Sequence, residues 1–174
     1  MSEAIELDAP DDAWPAAFAA EKALIAPLFT VAPRLIEHMG STAVPGLGAK
    51  PVIDIIVLMD RLADARPAIP ALEATGYRFW AANPDTSRLF LAKGLPPAPR
   101  RTHHLHVYDD AEEVQRHLLF RDHLRANPPV RDAYWRLKRE LAAQYKHDRE
   151  AYTAHKNGFV DGVIERLGGP PRKW

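Results

Sequence analysis

The 174 residues include no cysteine. That absence removes disulfides, thiolate metal sites and a cysteine nucleophile together. Net charge is absent too, because 23 basic side chains balance 23 acidic ones. A neutral chain carries no broad field to hold nucleic acid or an anionic membrane, so bulk nucleic-acid binding is not expected. No apolar run approaches the roughly 20 residues that cross a bilayer, and no membrane partner is expected. The start, Met1-Ser2-Glu3, is acidic and lacks the basic and apolar regions of a secretion signal. Neither an internal repeat nor a low-complexity segment is present. These absences leave a soluble, cytoplasmic protein. Its length favours one domain over 1–174, with a core over about 5–167 and a frayed tail over 168–174.

Periodicity supplies the elements. Residues 12–29 read as a helix, with Trp14, Phe18, Leu24, Ile25 and Leu28 mostly on one stripe and Pro15 in the first turn. A short strand over 34–39 leads into a loop with glycines at 40, 46 and 48. Residues 52–59 form an almost unbroken β-branched and aliphatic run, which suits a central strand buried on both faces. Residues 62–75 read as a helix despite Pro67 and Pro70, with Gly76 closing it. Two strands, 77–80 and 88–92, flank a polar turn, and 102–108 alternates as a last strand. From Ala111 the pattern is helical, with breaks near Asn127-Pro128-Pro129 and over 147–153. The expected architecture is α+β: a mixed β-sheet of about five strands with flanking helices and a C-terminal helical cap.

Three features carry candidate chemistry. In the loop after the first strand, Gly40 admits close approach of a phosphate, Ser41 and Thr42 offer hydroxyl donors, and Lys50 offers a point charge. A turn-rich connection with a lysine at its edge would read the same way. Asp54 interrupts the apolar strand, and a buried carboxylate needs a partner, a metal or hydrogen bonds. It is taken as functional, against a structural ion pair. On the last strand, His104 and His106 share a face with Thr102 and Tyr108. Such a pair can ligate a metal, work as acid–base groups, donate to phosphate, or pack beneath the helical cap. Arg121, Lys138, Arg149 and Lys156 are interleaved among the C-terminal apolar residues and are expected to be mostly solvated, with Lys138 and Lys156 the candidates for a cleft.

The run Glu37-His38-Met39-Gly40-Ser41-Thr42-Ala43-Val44-Pro45-Gly46-Leu47-Gly48-Ala49-Lys50-Pro51-Val52-Ile53-Asp54-Ile55 closely resembles the signature of the GrpB-like family. His104-Leu105-His106-Val107, residues 119–125 and residues 152–156 resemble it less specifically, and the likeness spans about 5–167. The resemblance implies the nucleotidyltransferase, or DNA polymerase β-like, fold and an enzyme moving a nucleotidyl or phosphoryl group from a nucleoside triphosphate to an unknown acceptor. It implies phosphate binding by Gly40, Ser41, Thr42 and Lys50. It also implies a catalytic, metal-holding group of Asp54, His104 and His106, with Mg or Mn, possibly Zn, as the divalent cation. Active members of that superfamily pair two carboxylates at i and i+2, with a third on a later strand. Here Val52 and Ile56 flank Asp54 at those spacings, and the later strand carries histidines. Related domains fused to dephospho-CoA kinase suggest the alternative, a non-catalytic nucleotide-binding or folding-accessory domain.

Overall fold

The computed structural model describes residues 5–173; residues 1–4 and 174, which include the acidic start, lie outside the described residues. Helix α1 (Trp14–Ile25) precedes strand β1 (Leu35–Met39), and strand β2 (Ile53–Leu58) follows the glycine loop. Short helices α2 (Leu62–Ala65) and α3 (Ile69–Ala74) lead to strands β3 (Tyr77–Phe79), β4 (Arg88–Lys93) and β5 (His103–Tyr108). Helices α4 (Ala111–Ala126), α5 (Pro128–Gln144) and α6 (Arg149–Arg166) complete the chain. The strands form one mixed sheet in the order β1-β2-β5-β4-β3. Among the described residues only β2 and β5 run parallel, and they sit at its centre.

The β-branched run makes β2 a two-faced core strand. Ile53, Ile55 and Val57 join Leu89, Leu91, Leu105 and Val107 in a cluster with Trp14, Ile25 and Leu72. Each such side chain, fully buried, stabilises the fold by roughly 2 kcal/mol. Ile56 and Leu58 point the other way, onto Met39, Tyr108 and Val114. Asp54 shares that second face, over which α4 packs.

Proline resets the helices where the periodicity suggested continuous ones. The first helix stops at Ile25 and tightens into a 3₁₀ turn at Ala26–Leu28, because Pro27 has no N–H for the next bond. Pro67 and Pro70 likewise divide residues 62–75 into α2, a 3₁₀ turn at Arg66–Ala68, and α3. Leu24, assigned to the apolar stripe, is exposed, whereas Ile25 carries the contact with the core. Residues 170–173 make contacts with α4 and α6. Arg116 donates to the Pro170 carbonyl, Arg172 pairs with Asp161, and Lys173 pairs with Asp110. No helix among the described residues is long and apolar enough to cross a membrane.

Candidate functional site

Parallel pairing of β2 with β5 sets Asp54 opposite His104. The pleat returns His106 to the same face two residues on. His104 Nδ1 lies 3.1 Å from Asp54 Oδ1 and His106 Nε2 lies 3.5 Å from it. Burial alone would raise the Asp54 pKa, but the two imidazole hydrogen bonds hold its carboxyl well below the usual range. The carboxylate is ionised and both rings donate to it.

Arg88, on β4, fixes the tautomer of one ring. Its Nη1 is 2.7 Å from His106 Nδ1, and a guanidinium can only donate. Nδ1 therefore accepts, and the His106 proton sits on Nε2, facing Asp54. Burial pushes His106 down to about 4, so the ring is neutral near pH 7. Arg88 itself pairs with Asp85 at 2.9 Å. His104 differs, because its Nε2 is buried with no partner among the described residues. Its ring packs beside Phe90, with the two ring centroids 5.2 Å apart.

The glycine loop closes over the carboxylate. Gly40 has φ 72°, and a Cβ built there would come within 2.9 Å of Asp54 Oδ2; only glycine lets the loop pass so close. Ser41–Ala43 form a 3₁₀ turn, anchored by Val44 and Leu47 packing on Leu124 and Tyr134. Ser41 accepts a 2.9 Å hydrogen bond from Lys138 Nζ, which also donates to the Gly48 carbonyl. Thr42 offers less than expected, since its hydroxyl is already bonded to His38 Nε2 at 2.9 Å. Lys50 lines the neighbouring cavity with its ammonium 5.6 Å from the Tyr152 ring.

Two cavities meet at this point. The larger, about 390 Å³, is lined by Ser41, Lys50, His104, Lys138, Arg149 and Lys156 among others, with Arg100 and Arg101 at its edge. The smaller, about 210 Å³, lies between α4 and α6 and has Phe120, Tyr134 and Val160 in its wall. Ser41, Asp54 and Lys156 line both.

Lys138 and Lys156, the two candidates for a cleft, both line it. Lys138 is 3% exposed, between the Tyr134 and Trp135 rings, and burial pushes it down to about 7, with Lys156 adding to the shift. Lys156 is half-buried and also pushed down by burial, although Asp54 opposes that shift. Arg121 is buried too, bonded to Glu37 and to the His38 carbonyl, while Arg149 is exposed as expected. Arg88 was not singled out. Only the β4–β5 register, which pairs Arg88 with Tyr108, could have pointed to Arg88.

The sheet with its Gly-Ser loop and helical cap has the fold of Cid1. The structure superposes on Cid1 in complex with ApU at a TM-score of 0.59 and 14% identity, covering 91% of this chain and 50% of that one. The chain belongs to the GrpB family, whose model, described as GrpB protein, matches residues 4–166. The crystal structure of conserved protein GrpB from Enterococcus faecalis superposes at a TM-score of 0.82 and 30% identity, covering 94% of this chain and 99% of that one. UPF0157 protein PA4798 of Pseudomonas aeruginosa is 46% identical over 163 residues, 93% of this chain and 67% of that protein. A dephospho-CoA kinase of Mycolicibacterium paratuberculosis is 31% identical over 188 residues, 93% of this chain but only 46% of the kinase.

Proposed function

We propose that this chain binds the polyphosphate of a nucleotide in the larger cavity and transfers its nucleotidyl group to a small acceptor in the smaller one. The observation that carries this reading is the meeting of the two cavities at Ser41, Asp54 and Lys156. The larger cavity is cationic through Lys50, Lys138, Lys156, Arg100, Arg101 and Arg149, which suits a polyanion. Gly40 and Ser41 would hold the phosphates from the loop. Thr42 would contribute only its backbone. At about 210 Å³ the smaller cavity suits a compound no larger than a single ring or sugar, below the usual range for drug-sized ligands.

In the transfer, the acceptor oxygen attacks the α-phosphorus, the bond to the bridging oxygen breaks, and pyrophosphate leaves. The acceptor proton leaves with the pyrophosphate, and His104, donating through Nδ1 to Asp54, holds the carboxylate where the two cavities meet. Three lysines and three arginines neutralise charge on the phosphates.

The divalent cation meets an obstacle. Asp54, His104 and His106 offer three donor atoms within 4.8 Å of one another, a span that one transition-metal ion could bridge. However, Mg²⁺ prefers an oxygen octahedron, and Val52 and Ile56 stand at the two positions a second carboxylate could take. A neutral His106 ligating through Nε2 would carry its proton on Nδ1, where Arg88 already donates at 2.7 Å. As hydrogen-bonded, the group does not fit the ion.

Isothermal titration with ATP, GTP, CTP and UTP, followed by a pyrophosphate-release assay across small hydroxyl compounds, tests the proposal. Binding with release that Asp54→Asn and His104→Ala abolish is the expected result. Failure of all four nucleotides to bind ends the reading. Val52 and Ile56 at those two positions favour a second reading, a non-catalytic nucleotide-binding or folding-accessory domain; binding that never yields pyrophosphate would select it.

A further inference from the structure

We infer that the larger cavity takes its polyphosphate as the metal-free anion, with lysines standing where the fold's divalent ions would otherwise be needed. This inference rests on the nucleotide-binding reading above.

The first observation is the locked carboxylate. Asp54 Oδ1 receives both imidazoles, and Oδ2 lies against Gly40, where an added Cβ would approach to 2.9 Å. The second is the tautomer of His106. For Nε2 to give up its proton to an ion while Nδ1 stays an acceptor, the ring would have to become an imidazolate, so the Arg88 contact must break first. A guanidinium beside a ligand nitrogen also repels a cation. The third is the supply of positive charge. Lys156 is half-buried, lines both cavities, and makes no hydrogen bond or ion pair among the described residues; the Tyr152 ring lies 5.6 Å from its ammonium. Lys138 is buried, aimed at Ser41, and uses two of its three donors on Ser41 and Gly48. A half-buried ammonium without a partner is costly unless an anion completes it.

The test uses untagged protein stripped of metal and the probes ATP and inorganic triphosphate. Both should bind in excess EDTA with affinity within about threefold of that in Mg²⁺ or Mn²⁺. Lys156→Ala and Lys138→Met should each weaken EDTA binding by roughly tenfold, the loss of one charge-assisted hydrogen bond. Arg88→Met supplies an independent arm, because it frees His106 Nδ1. Zn²⁺ or Mn²⁺ should raise the melting temperature of that variant and leave the wild type unchanged. Imidazole ¹⁵N shifts of the wild type should report His106 protonated at Nε2, a readout that needs no ligand and no variant. Binding that demands the cation overturns the inference and leaves the nucleotide-binding reading standing. Absence of binding with and without cation overturns both.

Discussion

Lys138 couples its environment to its charge. Burial pulls it down to about 7, so at pH 8 the free site holds it mostly neutral. A polyanion beside it favours the ammonium, so binding at pH 8 takes up a proton and affinity falls as pH rises from 7 to 9. Titration calorimetry in two buffers of different ionisation enthalpy measures that uptake, and Lys138→Met should lower it. The buried histidines act at the other end of the scale. His38 and His106 are each pushed down to about 4, mainly by burial. A base with a depressed folded pKa is protonated first in the unfolded state. Stability is therefore full above about 6.5 and declines as pH falls from there toward 4. Melting curves across that window check the sign; a melting temperature that rose on acidification would refute it. Ser41→Ala should weaken nucleotide binding by roughly 1–3 kcal/mol, measured by the same calorimetry. It also removes the acceptor for Lys138, so the stability of that variant has to be measured beside its affinity.

Among the elements, the glycine loop and α5 are fitted by contact rather than by charge alone. A Cβ on Gly48 would collide with the Trp135 ring and stand 2.7 Å from the Asp8 carbonyl. Gly48→Ala should therefore cost roughly 1–3 kcal/mol by overpacking, read as a lower denaturant midpoint. Gly158, inside α6, has nothing within 4 Å of its added Cβ. Gly158→Ala should stabilise by roughly 0.5–1 kcal/mol through helix propensity. The elements themselves were largely legible. Residues 52–59 announced a central strand because β-branched side chains filled both faces, and the alternation of 102–108 put His104 and His106 together. Their meeting with Asp54 needed the sheet order, which no local pattern contains. Periodicity assigns Lys138 a helix face but does not reveal the small-residue loop whose carbonyl and hydroxyl receive it. Pro67 and Pro70 were visible as breakers, yet the apolar stripe on either side suggested a helix that their missing N–H groups do not allow.

Across the whole molecule, the candidate site is assembled from distant sequence. Asp54 and His104 are 50 residues apart and Asp54 and His106 are 52 apart, yet they occupy adjacent strands at the centre of the sheet. Central strands are the last to exchange their amide hydrogens, because releasing them requires the whole sheet to open. The strands that carry the carboxylate and imidazoles consequently have no private opening motion. They separate only when the molecule unfolds, whereas the capping helices that bring Lys138 and Lys156 can loosen separately. Amides of Ile55 and Leu105 should exchange at the rate of global unfolding, those of α6 faster. A bound polyphosphate should slow α6 more than β2, drawing the cap toward the protection of the sheet. The fold thus divides the site into a permanent half and an adjustable half, and the ligand is what makes them exchange as one.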